Sequence, residues 1–151
     1  MKKTFTTIFH SLFRDVTAFG GMVFYGLLLI LSLLFQQSHL ALQLFLGLLI
    51  TFIIVILIRI VYFKNRPNKQ SHSNFIERID ASSFPSWHTA RITFICLIFI
   101  YFIKQNYFTI FSIIFALLVS YSRIYLQKHD WKDVLGGIIL GITTYLVVLF
   151  I

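Results

Sequence analysis

The chain has 151 residues, of which 58% are hydrophobic and only 12% charged, whereas soluble domains carry about 25% charged residues. That balance excludes an ordinary soluble domain and puts the chain in the membrane class. With 13 Lys and Arg against 5 Asp and Glu, the net charge of +8 fits anionic headgroups or phosphorylated substrates, or serves only to orient the chain in a bilayer.

Met1-Lys2-Lys3 resembles the start of an export signal, but no short apolar core with a small-residue cleavage site follows, so retention of this segment is expected. Residues 1–15 are too short and polar to span. Their Phe5, Ile8, Phe9, Leu12 and Phe13 fall at helical spacing, which predicts a helix lying in the interface. Five apolar runs follow at 16–35, 40–58, 84–103, 107–126 and 134–151. Each approaches the roughly 20 helical residues needed to cross a core about 30 Å thick. In lipid such runs are helices, because every backbone polar group must be paired within its own segment. Residues 64–83 form the long polar stretch between the second and third runs. The predicted fold class is all-α: one polytopic membrane helix bundle over 1–151, with about five transmembrane helices plus an N-terminal interfacial amphipathic helix. The lone Cys96 lies in the third run and can form no internal disulfide or cysteine metal site.

Five crossings put the N-terminal segment, the 64–83 loop and the 123–133 turn on one side. That side carries every acidic residue, every basic residue except Lys104, and His10, His72, His88 and His129. The polar chemistry is therefore gathered at one face, in three clusters. "RIVYFKNRP" ends the second run with Arg59 and Arg66-Pro67. "SSFPSWHTAR" opens the third with Pro85, Ser86 and His88. "SRIYLQKHDWKD" links the last two with Arg123, His129 and Asp133.

His129 and Asp133 are four apart and share a face if the last helix begins here. A carboxylate on one imidazole nitrogen fixes the tautomer and leaves the other free as nucleophile or base. Equally, Asp133 reads as a helix-start acid beside a surface histidine. Arg123 offers a planar fork for two phosphate oxygens. Pro85 fits a first helical turn, where free N–H groups and the Ser86 hydroxyl make an anion site within reach of His88. Arg91, three residues on, has two readings. The favoured one is a cation that snorkels to the polar face and pairs with Glu77, Asp80 or Asp15. The other is a further phosphate ligand, for instance for the second phosphate of a diphosphate.

Arg59-x6-Arg66-Pro67, then Pro85-Ser86-Trp87-His88, then Ser122-Arg123-x5-His129-x3-Asp133 resembles the three-part signature of the type 2 phosphatidic acid phosphatase (PAP2) superfamily. The likeness extends over roughly 59–137. That superfamily includes membrane lipid phosphatases, undecaprenyl pyrophosphate phosphatases and soluble vanadium haloperoxidases. The resemblance implies a lipid phosphatase in which His129 attacks phosphorus to form a phosphohistidine and Asp133 orients its ring. His88 would protonate the leaving oxygen and then activate water. Arg59, Arg66, Arg123, Ser86 and the backbone N–H of Trp87 would hold the phosphoryl oxygens. It also implies no metal and no cofactor, with a lipid substrate and the bilayer as partners and no nucleic acid.

Two positions depart from the family pattern. Arg59 stands where Lys is usual, and Trp87 where Gly is frequent; the indole would narrow the pocket or lie against a lipid chain. Family members commonly have six spans against five here. Candidate substrates are a polyprenyl diphosphate, phosphatidic acid and phosphatidylglycerophosphate, with "ASSFPSWHT" somewhat closer to the undecaprenyl diphosphate enzymes. The alternatives are a lipid phosphotransferase, or a non-enzymatic membrane protein such as a transporter subunit or lipid-binding scaffold. A vanadate-dependent oxidase would need a soluble bundle. Positive-inside bias puts the basic face in the cytoplasm. Family likeness puts the site of this multi-pass cell-membrane protein outside, and the second arrangement is favoured.

Overall fold

A computed structural model describes residues 2–150, with the side chains of residues 7–150. The side chains of Lys2, Lys3 and Phe5 therefore lie outside the described residues. The chain is all-α: no strand occurs among the described residues. Its helices are α1 (Lys2–Thr17), α2 (Met22–Leu34), α3 (Ser38–Val61), α4 (Phe75–Ala81), α5 (Trp87–Ile103), α6 (Asn106–Tyr125) and α7 (Trp131–Leu149).

The run at 16–35 is not one straight helix. α1 ends at Thr17, a 3-10 turn takes Ala18–Gly20, and α2 restarts at Met22 with its axis bent by 46°. The cause lies in Gly20 and Gly21. A Cβ on Gly20 would stand 2.9 Å from the His88 carbonyl oxygen, so only a glycine lets this corner pass so close to α5. Gly21 then caps α2 in an extended conformation. With 13 residues, α2 extends about 20 Å, too short to cross a core of about 30 Å alone. The five apolar runs thus become three helices long and apolar enough to cross (α3, α6, α7), one bent α1–α2 pair that together passes the same test, and the shorter apolar α5. α1 packs on α6, with Phe13 against Tyr125 at 4.4 Å and Tyr121 at 5.7 Å between ring centroids. Ile8 and Leu12 stay exposed, as an interfacial face would require.

α5 is the axis of the bundle. Nine of its 17 residues are buried, among them the unbroken stretch from Thr89 to Cys96, so it shows no apolar stripe and is enclosed on all sides. α3 and α7 flank it together with α6 and the 3-10 turn. The α5–α7 contact is backbone-close. A Cβ on Gly141 would meet the Ala90 carbonyl and Thr93 Cβ, both at 2.7 Å, and Gly137 one turn earlier is equally tight against Ser86 and Thr89. This small-xxx-small spacing is what membrane helices use to approach closely where no hydrophobic effect drives them together. Lower in the bundle Tyr25, Leu44, Phe94, Ile98 and Val148 make the apolar core, and the buried Tyr25 hydroxyl donates to the Leu44 carbonyl at 2.6 Å.

The C-terminal ends of α3 and α6 and the N-terminal ends of α5 and α7 meet at one end of the bundle. There Ser83 N–H donates to the Lys64 carbonyl at 2.8 Å, Asn68 N–H to Gln127 at 3.1 Å, and Ser86 N–H to the Asp133 carbonyl at 2.9 Å. These bonds tie three loops that are far apart in sequence. Within the polar stretch, α4 is capped by Asn74, whose side chain accepts from Glu77 N–H. That Asn-x-x-Glu pattern is a helix-start signal.

The tight α5–α7 seam yields a prediction. Gly141→Ala should lower the thermal midpoint of the detergent-purified protein, because overpacking costs about 1–3 kcal/mol and outweighs the gain of up to about 1 kcal/mol in helix propensity. Gly26→Ala, where nothing lies within 4 Å of the added methyl, should leave the midpoint unchanged or raise it.

Candidate active site

A cavity of ≈ 320 Å³ opens at the polar end of the bundle, lined by Met22, Arg59, Arg66, Asp80, Trp87, His88, Arg91, Arg123 and His129. Five elements contribute: α2, the end of α3, α4, the start of α5 and the end of α6, with the two loops that carry Arg66 and His129.

Its four arginines are held in an unusual way. Arg59, 3% exposed, donates from Nη1 to the Ile79 carbonyl and from Nη2 to the Pro85 carbonyl, both at 3.1 Å. Arg66 donates to Gln70 Oε1 and the Asp80 carbonyl, both at 2.6 Å. Arg123 donates to Thr17 Oγ1 at 2.8 Å, and Arg91 to the Gly20 carbonyl at a long 3.4 Å. Every acceptor is neutral. Among the described residues none of the four makes an ion pair, and the Nε of each is buried without a hydrogen-bond partner. Buried cations are normally paired, since desolvation penalises an isolated charge by several kcal/mol. Four unneutralised guanidiniums around one cavity therefore make an anion site.

Trp87 divides that charge. The Arg91 guanidinium lies 4.7 Å from its ring centroid and that of Arg59 5.7 Å, with Phe52 packed on the indole at 5.2 Å. An aromatic face offers a cation some electrostatic compensation without neutralising it. Arg91 is thus 6% exposed and forms no ion pair with Glu77, Asp80 or Asp15; it faces the cavity instead.

Behind His129 stands Asp133, with none of its surface exposed. Asp133 Oδ2 lies 3.6 Å from His129 Nδ1, in contact but beyond hydrogen-bond length, and accepts the Asp130 N–H at 3.0 Å. Asp130 Oδ1 accepts the Asp133 N–H in return, also at 3.0 Å, closing a reciprocal cap at the start of α7. Asp133 is therefore both things its position allowed: a helix-start acid and the carboxylate nearest the histidine. Its Oδ1 accepts from Lys64 Nζ at 2.7 Å, and the same ammonium reaches Asp130 Oδ2 at 2.6 Å. Burial holds the His129 imidazole below its ordinary value against the upward pull of Asp133, with Arg123 and Arg66 adding to the lowering. Lys64 goes the other way: burial opposes its charge, but the bonds to Asp130 and Asp133 lift it above the usual lysine value.

The second cluster differs in detail from its expected form. α5 begins at Trp87 with Ser86 as its N-cap, so Pro85 stands ahead of the cap and not in the first turn. Ser86 is fully buried, its Oγ accepts from Thr89 Oγ1 at 3.0 Å, and it backs the cavity without lining it. Met22 and Asp80 line the cavity without any motif to mark them. Lys64 fills one of the six unspecified positions between Arg59 and Arg66, and its partners lie 66 and 69 positions away.

The fold is similar to the crystal structure of LpxE from Aquifex aeolicus, with a TM-score of 0.80 at 22% identity, over 95% of this chain and 87% of that one. No curated protein matches the chain in sequence. The model of the PAP2 superfamily matches residues 62–151, which takes in Arg66-Pro67, Pro85-Ser86-Trp87-His88 and Arg123-x5-His129-x3-Asp133 and leaves Arg59 just outside. By that match over more than half its length, the chain belongs to the PAP2 superfamily.

Proposed function

We propose that this chain is a membrane-embedded lipid phosphatase that hydrolyses the terminal phosphate of a lipid diphosphate through a phosphohistidine. Membership of the PAP2 superfamily and the LpxE-like fold support a membrane lipid phosphatase. The observation that carries the rest is the set of four arginines, none paired with an acid, converging with two histidines on one cavity.

With Nδ1 of His129 turned to Asp133, Nε2 is the nitrogen left for the cavity. Nε2 attacks the terminal phosphorus, a P–N bond forms, and the bond to the bridging oxygen breaks. His88 gives its proton to that leaving oxygen, releasing the lipid monophosphate. Water then attacks the phosphohistidine, His88 takes up a proton from it, and the P–N bond breaks to free inorganic phosphate. The positive imidazole of the intermediate is favoured by the Asp133 carboxylate. Arg59, Arg66 and Arg123, with the Trp87 N–H at the head of α5, hold the charge that spreads over the transferring oxygens, while Ser86 caps that helix from behind the cavity. The reaction as written consumes only lipid and water and needs no metal.

Arg91 favours a diphosphate over a monophosphate. A fourth cation, itself buried without an acid partner, is costly beside one phosphoryl group and well matched to two. The apolar tail has a place too. A groove of ≈ 300 Å³ lined by Phe24, Leu28, Ile95 and Phe99, among others, lies between α2, α5 and α6, two of which carry Met22 and Arg91 near their starts.

Detergent-purified protein in EDTA should release phosphate from a polyprenyl diphosphate, and His129→Ala should lose at least about 10³-fold of kcat; wild-type turnover in that variant would leave only a scaffold role. Arg91→Gln should raise KM for the diphosphate by about 10- to 100-fold, the worth of a charged hydrogen bond of roughly 1.5–3 kcal/mol. Turnover of phosphatidic acid should stay within about threefold in the same variant, and equal losses on both lipids would remove the diphosphate preference. A cysteine placed at Lys69, in the loop beside the site, should react with an impermeant maleimide on intact cells if the site faces outward; protection until the cells are opened would put it in the cytoplasm.

A further inference from the structure

We infer that Lys64 is a positioning residue for the reaction: it fixes the His129 nucleophile through Asp133 and helps keep its ring uncharged. The inference rests on the phosphatase reading of the cavity and adds to it a residue at an unspecified position of the first motif, between Arg59 and Arg66.

The geometry leaves Lys64 little other purpose. Its carbonyl and amide are fastened to the Ser82-Ser83 strand of chain, with Ser83 N–H donating to the Lys64 carbonyl at 2.8 Å and Lys64 N–H to Ser82 Oγ at 3.3 Å. From that fixed backbone the ammonium is delivered to two carboxylates at once, Asp130 Oδ2 at 2.6 Å and Asp133 Oδ1 at 2.7 Å. A buried carboxylate can rotate about its last bond unless both oxygens are held. Asp133 Oδ2 is held by the Asp130 N–H; Oδ1 is held by Lys64. The plane of the carboxylate, and so the approach of Oδ2 to His129 Nδ1, is set by the pair of bonds together. Ser86 N–H donates to the Asp133 carbonyl, so the same network also registers the start of α5, which carries His88, against α7.

The charge matters as much as the tether. His129 is faced by Asp133 from α7, Arg123 from α6, His88 and Arg91 from α5, Arg66 from the loop after α3 and Asp80 from α4. The cations outnumber the acids, and Lys64 offsets part of the field of Asp133 and Asp130. Removing its charge lets the two carboxylates act on the imidazole undiminished, which favours the protonated ring. The sign is therefore definite: neutralising Lys64 moves the protonation of His129 to higher pH, and kcat/KM begins to fall at a higher pH than in the wild type.

The test compares the wild type with Lys64→Met, Lys64→Gln and Lys64→Arg in detergent, using farnesyl diphosphate as substrate, with the exposed Lys132→Met as a control for loss of a cation at the same end. Lys64→Met should lower kcat by about 10- to 100-fold, the usual cost of losing a partner behind a functional histidine. KM should stay within about threefold, since the ammonium touches no substrate. The acid limb of kcat/KM should move up by about half a pH unit or more. Lys64→Gln keeps a donor without the charge and should show the shifted limb with a smaller loss of kcat. Lys64→Arg should recover the wild-type limb, and Lys132→Met should match the wild type throughout. If Lys64→Met does not yield folded protein, Lys64→Gln decides through the limb alone. Wild-type kcat and limb in both neutral variants of an active enzyme would overturn the role of Lys64 and leave the phosphatase reading standing. If the wild type releases no phosphate, that reading fails instead, and the His129 titration followed by NMR in the same variants still decides whether Lys64 sets it.

Discussion

A carboxylate with no surface in contact with solvent needs each of its oxygens partnered, and Asp133 meets that demand by joining three parts of the chain. One oxygen takes the Asp130 N–H that starts α7 and lies against His129; the other takes the ammonium of Lys64 from the far side of the site. Its backbone carbonyl receives Ser86 N–H at the head of α5. Remove that carboxylate and three connections lose their common partner: the cap of α7, the anchorage of the 62–74 loop and the orientation of the imidazole. Lys64 would keep only its bond to Asp130. The site is thus assembled around an acid that does not line it.

The cavity itself follows the opposite rule. Asp133 is saturated with partners, whereas the arginines are tethered by their terminal nitrogens to carbonyls, an amide and a hydroxyl, and keep their charge unmatched. Those tethers fix the guanidiniums in place without neutralising them, so no reorganisation is needed when an anion arrives. Trp87 fits this scheme in place of the more usual small residue. It supplies a surface on which Arg59 and Arg91 both rest, and so makes room for a fourth cation where unshielded like charges would otherwise repel one another.

Close packing makes the convergence possible. α5 must bring His88 and Arg91 to the cavity while being enclosed by α3, α6, α7 and the α1–α2 corner. Gly137 and Gly141 on one side, and Gly20 on the other, let backbones approach to distances that any side chain would forbid. The bend after α1 has the same origin. It places Met22 at the rim of the cavity and Thr17 within reach of Arg123, two contacts a single straight span would not have made.

Much of this was legible in the order of residues alone. Long apolar runs with few charges dictate membrane helices, because lipid offers no partner to an open backbone, and their alternation gathers Arg59, Arg66, His88, Arg91, Arg123, His129 and Asp133 at one end whatever the packing. The spacing of the three clusters carried the family, and the family match later took in all of it from residue 62 onward. The cap of α4 by Asn74 was not anticipated, although it involves only neighbours in sequence. The rest depends on distance in space. Nothing within a few residues of Gly20 announces that His88 will lie against it, so the break between α1 and α2 is decided by packing. Arg91 had acids within plausible reach, and only the depth of α5 in the bundle turned it to Trp87 and the cavity. Lys64 is one more loop cation until the fold sets it between Asp130 and Asp133. Local chemistry and hydrophobic period determined which residues exist at the polar end; the close approach of helices, which depends on side chains far apart in the chain, decided which of them touch.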